Sequence, residues 1–248
     1  GIVYAEMTVE TGATDLHSGV FGGTVPNALM AAAQIVAALK DVEGRVRIPG
    51  FYHVVAEPSA AEKASWAALP FDPERYQRLE AQVFALTGEP DFDVFERTWS
   101  RPTLEVHGIR GGFVGEGSKT VIPCEAVVKL SCRLVPGQDP EQIGEALAQA
   151  IVDAAPVGAR TSLRILGKSK AALVDPEDKF VGEAALAMEE VFGAKAVFTR
   201  SGGSIPIVGL MAEHLAIPSV LMGFGLPDDN LHAPNEKVYL PNVYRGVK

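Results

Sequence analysis

The fold is decided at one glycine-rich segment, which reads Asp15-Leu16-His17-Ser18-Gly19-Val20-Phe21-Gly22-Gly23. It places an imidazole between an apolar, strand-like stretch and a predicted helix. Its glycines allow a ligand or a neighbouring chain to approach His17 closely. A histidine there can donate hydrogen bonds and carry charge near neutral pH. The alternative is a tight turn before a capped helix, with an ordinary histidine in it.

The flanking residues predict a strand and a helix. Ile2–Glu10 alternates apolar and polar side chains, which is typical of a half-buried strand. Pro26 and Asn27 then open a predicted helix over residues 28–39. Its predicted apolar stripe consists of Leu29, Ala32, Ala33, Val36 and Ala37.

Residues 1–170 are predicted to form one domain with an insertion at about 53–101. Further strands are predicted at 103–108, 121–135 and 160–166, and a second helix runs from Pro140 to about Ala154 with Asp139 as its cap. Without the insertion, the order strand, helix, strand, strand, helix, strand predicts an α+β, ferredoxin-like (βαββαβ) domain.

The insertion differs in composition, being rich in Ala, Glu, Pro and aromatic residues. It has helical patterns near 60–68 and 73–86. We expect it to pack on the domain through its aromatic side chains, namely Trp66, Phe84, Phe92, Phe95 and Trp99.

Residues 171–248 follow a different pattern. Helices are predicted at 178–192 and 205–215, and strands at 196–199 and 219–223, the second of them buried. This alternation is typical of a layered α/β sheet. Two strands cannot bury both faces of a sheet, so we expect an incomplete α/β segment whose other strands lie upstream of Gly1.

Composition excludes several classes of protein. The net charge of −9 argues against nucleic-acid binding. No apolar run reaches the roughly 18 residues of a membrane span, and the start lacks the features of a signal peptide. Cys124 and Cys132 are too far apart along one predicted strand to bridge each other. A cytoplasmic, reducing location is therefore expected.

A second histidine, His232, lies in the loop Asn230-Leu231-His232-Ala233-Pro234-Asn235-Glu236-Lys237, after a predicted strand. Sheets of this class place their sites at the carboxyl ends of strands. Asp228, Asp229 and Glu236 are near enough to orient the ring. Imidazole with nearby carboxylates suits zinc, with a carboxylate fixing the tautomer. One histidine cannot make a site, and a hydrogen-bonded loop histidine is the alternative.

Two arginines are candidates for anion binding. Arg133 lies on a predicted half-buried strand and needs an anionic partner, either a substrate carboxylate or a structural ion pair. Arg200 precedes Ser201-Gly202-Gly203-Ser204-Ile205-Pro206, where a helix start offers free N–H groups for a carboxylate or phosphate. Ser204 is alternatively an N-cap.

The remaining motifs carry no chemistry. Residues 112–120 approach a phosphate-binding loop, but Ser118 separates Gly117 from Lys119 and a strand follows, which excludes nucleotide binding there. Ser204 does not lie in a Gly-x-Ser-x-Gly elbow, so a serine nucleophile is not expected. We interpret His53, His107 and His214 as structural and Glu189-Glu190 as a solvated helix face.

Together these motifs resemble the M20 family of zinc metallopeptidases, in particular its dipeptidase and carnosinase-like branch. The motifs occur in the family's order, and they are Asp15-Leu16-His17-Ser18-Gly19 with Phe21-Gly22-Gly23, Gly117-Ser118-Lys119-Thr120-Val121-Ile122-Pro123, Arg133-Leu134-Val135-Pro136, Gly202-Gly203-Ser204-Ile205-Pro206, and His232 with Asn235-Glu236-Lys237. The resemblance implies a lid domain that forms a homodimer at residues 1–170 and the C-terminal part of a two-zinc catalytic domain at 171–248.

The resemblance also implies roles for individual residues. His232 would be a zinc ligand. His17 would reach into the partner subunit's site and polarise the scissile carbonyl of a small peptide. The C-terminal carboxylate of that substrate would be held by Arg133, Ser204, Gly203 and Thr120.

The chain departs from the family in its metal ligands. It contains no His-x-Asp pair, and Glu189-Glu190 lies in the wrong place for the family's Glu-Glu pair. We therefore expect a fragment that does not hold two zinc ions or hydrolyse peptides alone. One hypothesis is a parent metal-dependent dipeptidase or amidohydrolase. The alternative is a non-catalytic dimerisation module.

Overall fold

The computed structural model describes residues 1–202, 205–217 and 219–248 of a mixed α/β chain. The chain divides into two compact units. The sheet unit comprises Gly1–Glu57, Gly88–Ala172 and Ser201–Gly209. The helical unit comprises Pro58–Thr87, Leu173–Arg200 and Leu210–Lys248.

The strands are β1 (Ile2–Glu10), β2 (Leu16–His17), β3 (Thr103–Gly111), β4 (Val121–Ile122), β5 (Glu125–Arg133) and β6 (Arg160–Ser169). The helices are α1 (Ser18–Phe21), α2 (Ala28–Leu39), α3 (Ala60–Ala67), α4 (Pro73–Arg75), α5 (Val94–Trp99), α6 (Pro140–Ala154), α7 (Lys179–Phe192), α8 (Pro206–Leu215) and α9 (Leu240–Val247), with a π-helical turn at Tyr76–Glu80. Among the described helices, none is both long and apolar enough to cross a membrane.

A four-stranded antiparallel sheet organises the sheet unit, in the order β3-β5-β1-β6. The predicted alternation along β1 is confirmed, because Val3, Ala5, Met7 and Val9 are fully buried. Helices α2 and α6 pack on that face and complete the hydrophobic core. Asp139 caps α6 as predicted, its Oδ1 accepting the Glu141 N–H at 2.8 Å.

The apolar stripe predicted for α2 is partly correct. Ala32 is buried and Leu29 and Val36 pack against the core, whereas Ala33 and Ala37 are exposed. The buried residues of the helix are Ala28, Ala31, Ala32, Ile35 and Leu39. The helix is apolar on most of its circumference, so spacing alone does not select a face. The large side chains of Ile35 and Leu39 decide it, since they gain most from burial.

The long strand predicted at 121–135 is broken into β4 and β5. The break falls at Pro123 and Cys124, where proline has no N–H for a ladder. The Pro123 carbonyl instead accepts the Ala28 N–H, at 3.1 Å. Strand β4 is thereby free to pair with β2, which carries His17.

The insertion is only partly as predicted. Trp66 is buried and its Nε1 donates to the Phe198 carbonyl at 3.2 Å, whereas Phe84 is fully exposed. The helix predicted at 73–86 is shortened to α4 and the π-helical turn. Gln82, with φ of 53°, takes a left-handed conformation after it.

Both strands predicted in residues 171–248 are wrong. Residues 196–199 and 219–223 are not in a strand, and Leu221 is 60% exposed. A strand exists only where its backbone groups pair with a neighbouring strand, and the described residues of the helical unit offer none. Helix α7 is confirmed: Asp178 caps it and Gly193, with φ of 72°, ends it.

The two cysteines are unpaired, as predicted. Cys132 lies in the core, where burial raises the pKa of its thiol to about 12. Cys124 is only partly buried and does not belong to that core.

Candidate functional site

His17 is held by a short two-stranded ladder that is separate from the four-stranded sheet. Strands β2 and β4 pair antiparallel, with Leu16 opposite Ile122 and His17 opposite Val121. The ladder continues for one more residue, because the Ser18 N–H donates to the Thr120 carbonyl at 3.0 Å. The structure therefore brings two predicted site residues, His17 and Thr120, next to each other.

Asp15 fastens the same segment from its other side. Its Oδ1 accepts the Cys124 N–H at 3.0 Å. This backbone hydrogen bond holds the pKa of the Asp15 carboxyl below its ordinary value. Sequence reasoning missed this role, although aspartate next to a turn commonly binds backbone N–H groups.

The hydrogen bonds of the His17 ring leave one nitrogen available. Nδ1 accepts the Gly19 N–H at 3.0 Å, and the residue is exposed. A ring nitrogen that accepts carries no proton, so the neutral ring carries its proton on Nε2. His17 can therefore present an N–H donor away from its own backbone, which is what stabilisation of an oxyanion requires.

Arg133 lies at the last position of β5, opposite Ile2 on one side and Thr103 on the other. Its Nη1 donates to the Gly202 carbonyl at 3.5 Å. The structure thus brings Arg133 to the segment predicted to bind an anion with it. Gly203 and Ser204, the other predicted members, lie outside the described residues.

Arg133 and His17 lie beside opposite ends of β5, with His17 on the separate two-stranded β2-β4 ladder. Strand β5 starts at Glu125, on the side of His17 and β4, and ends at Arg133. Its nine residues span about 26 Å at roughly 3.3 Å per step. A dipeptide is about 7 Å long. One copy of the chain therefore cannot place both side chains on the same dipeptide.

Arg200 is not a free anion-binding group. Its Nε and Nη2 donate to Glu62 Oε1 at 2.9 and 2.6 Å. Glu62 also closes the capping box of α3 with Ser59. The Arg200 guanidinium is thus engaged by a carboxylate of its own unit, and Gly203 and Ser204, the other residues of the predicted cradle, lie outside the described residues.

His232 lies on a tightly folded loop of the helical unit. The Ala233 N–H donates to the Asn230 carbonyl at 3.0 Å, and His232 is the third residue of this turn. Its φ is 59°, and Asn230 and Asn235 have φ of 54° and 62°. Left-handed conformations of residues other than glycine carry strain and persist where the surroundings fix them. The exposed His232 is thus held on a constrained loop.

The described part of the chain, 1–202 with 205–217 and 219–248, contains no group of three or more His, Cys, Asp or Glu able to hold a metal ion. His232 fits the role of a single ligand, but the described residues do not complete a site around it. Beside it on the loop, one oxygen of the buried Asp229 carboxylate has no hydrogen-bond partner among those residues.

Comparison with known proteins assigns the family. Residues 2–159 match the model of the M20 peptidase dimerisation domain. The chain belongs to this M20 dimerisation-domain family. The match covers the strands and helices of the sheet unit from β1 to α6, including both His17 and Arg133.

Relatives of the M20 chain are dipeptidases. It is 32% identical over 254 residues to the Cys-Gly metallodipeptidase DUG1 of Saccharomyces cerevisiae, covering 100% of this chain and 52% of that protein. It is 29% identical over 253 residues to the Beta-Ala-His dipeptidase of Homo sapiens, covering 100% of this chain and 49% of that protein. The chain thus spans about half the length of the curated relatives it matches.

Solved structures agree with this assignment. The yeast dipeptidase Dug1p aligns with a TM-score of 0.85 at 29% identity, over 99% of this chain and 52% of that one. An M20 family metallo-carboxypeptidase, Sso-CP2 from Sulfolobus solfataricus, aligns with a TM-score of 0.87 at 30% identity, over 100% of this chain and 56% of that one.

Proposed function

We propose that this M20 chain is part of a longer, metal-dependent dipeptidase that cleaves the peptide bond of a small substrate with a free carboxylate. The observation that carries the proposal is the position of His17 and Arg133 beside opposite ends of strand β5. Two groups suited to one substrate, but too distant to share it within one copy, make sense in a homodimer whose sites use both protomers.

In this proposal the sheet unit supplies a ferredoxin-like lid. Its strand order, β3-β5-β1-β6, and its two packed helices support that topology. We assign residues 1–170 to the lid and dimerisation domain, with the insertion at about 53–101. Residues 171–248 are assigned to the C-terminal part of the catalytic domain.

The partner's copy of His17 donates its Nε2–H to the carbonyl oxygen of the scissile bond. The donor is set in advance, because Nδ1 is occupied by the Gly19 N–H. Such a preset donor is worth most where negative charge develops during attack. Thr120 lies next to His17, because its carbonyl accepts the Ser18 N–H. Both residues therefore reach the site from the same protomer.

The other protomer binds the carboxylate end of the substrate. Arg133 supplies a guanidinium whose planar donors match a carboxylate. The Gly202 carbonyl accepts a hydrogen bond from Arg133 Nη1 and helps to position the guanidinium. Gly203 and Ser204 follow directly in the chain and are proposed to add donors to the same carboxylate.

His232 is proposed as one ligand of a metal site, with two zinc ions per site in the whole enzyme. A bound divalent metal would supply Lewis acidity and an activated water. Since the described residues do not complete that site, this chain alone is proposed to be inactive. The two unpaired cysteines favour a cytoplasmic enzyme.

The second candidate is a dimerisation module without catalysis of its own. It is favoured by the match to a dimerisation domain and by the lack of a metal-binding cluster among the described residues. The two candidates are separated by the activity of the longer protein.

The test is hydrolysis of dipeptides by the longer protein, with and without zinc, beside the 248-residue chain. We expect zinc-dependent activity of the longer protein and none of the chain. His17→Ala should reduce kcat at least about 100-fold, the scale of a lost oxyanion donor. His232→Ala should reduce the zinc-dependent activity, because it removes a proposed metal ligand. Activity retained in both variants would overturn these assignments.

A further inference from the structure

Three side chains contact one another on the face of the four-stranded sheet that is opposite to α2 and α6. Leu130 and Cys132, the neighbours of Ser131 on β5, point into the core, so Ser131 points to that opposite face. His107 Nε2 lies 2.8 Å from Ser131 Oγ. The His107 ring also packs edge to face on the Tyr4 ring, with 5.5 Å between the ring centres. Tyr4, His107 and Ser131, here called the His107 cluster, thus join the three adjacent strands β1, β3 and β5.

A β-bulge brings His107 into this cluster. The pairing of β3 with β5 changes register between Val106 and Gly108, so His107 is the extra residue on β3. Bulges redirect a side chain and are common beside functional sites. Ser131 is only 2% exposed whereas His107 is exposed, so a buried hydroxyl holds an accessible ring. An accessible ring held in one orientation is suited to bind a ligand.

The His107 cluster lies next to Arg133 on the same face. Ser131 and Arg133 are two positions apart on β5, so their side chains point to one side and their Cα atoms are about 7 Å apart. Tyr4 lies opposite Ser131 on β1, and Ile2 lies opposite Arg133. The cluster and the guanidinium therefore occupy neighbouring rows of the sheet.

The carboxylates beside the cluster on β3 and β1 are already paired. Glu105 contacts Lys40 Nζ at 2.7 Å. Glu6 contacts Lys129 Nζ at 3.0 Å and Arg164 Nη2 at 2.6 Å. Because both acidic groups have cationic partners, the cluster offers a ligand aromatic surface rather than a free negative charge.

We infer that the His107 cluster binds the C-terminal side chain of the substrate and favours an aromatic side chain there. This rests on the proposed function, because it takes Arg133 as the group that binds the free carboxylate. The carboxylate and the C-terminal side chain are attached to one Cα, so binding the first at Arg133 brings the second to the adjacent row. Aromatic rings pack favourably edge to face or offset, and the His107 and Tyr4 rings offer such partners. His107 is then a specificity-determining residue.

The test compares three dipeptides as substrates of the longer protein. Ala-Phe, Ala-Leu and Ala-Gly share a free carboxylate and differ in the C-terminal side chain. We expect the unaltered protein to prefer Ala-Phe to Ala-Gly. His107→Ala should lower kcat/KM for Ala-Phe at least about fivefold, the scale of a lost aromatic pair, while Ala-Gly stays within about twofold. Ala-Leu should fall less than Ala-Phe, because leucine has no ring.

Two further variants separate this role from an effect on folding. Ser131→Ala removes the hydroxyl that holds the ring but keeps the ring, so it should lower the preference for Ala-Phe by a smaller factor than His107→Ala. His53→Ala removes another exposed histidine of the sheet unit and should leave that preference within about twofold of the unaltered value. The ratio of kcat/KM for two substrates does not depend on the fraction of protein that is folded, so poor folding alone cannot produce the expected result.

The same measurements distinguish this inference from the proposed function. If the longer protein hydrolyses none of the three dipeptides, or if Arg133→Ala leaves kcat/KM unchanged, the proposed function fails and the role of the His107 cluster fails with it. If Arg133→Ala lowers activity but His107→Ala changes all three substrates by the same factor, or none of them, only the role of the cluster is overturned. A preference of the unaltered protein for Ala-Gly over Ala-Phe would overturn that role as well.

Discussion

The Asp15 carboxylate makes the attachment of the His17 segment dependent on pH. The Cys124 N–H donates to it and holds its pKa below the ordinary value. A lowered pKa in the folded chain means that the stabilisation is complete above the ordinary pKa and is lost as pH falls through the lowered one. We expect the amide proton of Cys124 to shift upfield over that acidic range, as measured by NMR.

Asp15→Asn is the control for this titration. Asparagine keeps an oxygen acceptor for the Cys124 N–H but cannot titrate, so the Cys124 amide should show no step in the same range. An identical step in the variant would assign the titration to another group and contradict the role given to Asp15.

At the scale of single residues, candidate groups could be named from the sequence, but their contacts could not. His17, Arg133 and His232 could be proposed because the motifs that contain them resemble those of the M20 family, and their roles stay predictions. The partner of Arg200 could not, because Glu62 lies 138 positions away in sequence and no periodic pattern links them. The unpaired oxygen of Asp229 is likewise a property of packing, although its place near His232 was visible.

At the scale of elements, prediction succeeded where a pattern and a terminal signal agreed. Strand β1 shows strict alternation, and α6 combines Asp139, Pro140 and an amphipathic face. Prediction failed where one signal stood alone. The apolar runs at 196–199 and 219–223 have the composition of strands, but pairing depends on neighbours that the sequence of the segment does not contain.

The segment that leads into β3 is fastened by a buried ion pair within the sheet unit. Glu89 accepts Arg101 Nε and Nη2 at 2.7 and 2.8 Å, and it is only 5% exposed. The guanidinium also stacks on Phe92 and Tyr52, with its Cζ 4.1 and 4.6 Å from their ring centres. Glu89→Gln should lower the free energy of unfolding by about 3 kcal/mol, because it leaves a largely buried charge unpaired.

Denaturant unfolding followed by circular dichroism measures this effect. The matched control is Asp91→Asn, which removes the exposed partner of Arg45 from the same segment. Exposed pairs contribute less than about 1 kcal/mol, so the control should be nearly neutral. Equal losses in the two variants would contradict the role of the Glu89 pair.

At the scale of the whole molecule, the length of β5 has a consequence for assembly. Arg133 and His17 bracket a strand of about 26 Å, so a site that uses both must draw them from two protomers. A dimer with twofold symmetry then contains two identical sites, each with the Arg133 of one protomer and the His17 of the other. The sequence motifs could name both residues, but only the sheet register shows that they are separated.

This arrangement predicts complementation between two inactive variants of the longer protein. In a mixed dimer of His17→Ala and Arg133→Ala subunits, one site lacks both side chains and the other retains both. When equal amounts exchange subunits freely, half of the dimers are mixed, so activity should return to about a quarter of the wild-type value. Dipeptide hydrolysis measured before and after subunit exchange gives the result.

A second mixture shows which residues come from the same protomer. His17 and Thr120 are neighbours across β2 and β4, so in a mixed dimer of His17→Ala and Thr120→Ala subunits every site lacks one of the two. Activity should then stay at the average of the two parent variants, because no site is restored. If the His17→Ala and Arg133→Ala mixture also stays at that average after exchange is demonstrated by mass spectrometry, both residues serve one protomer and the shared site is wrong.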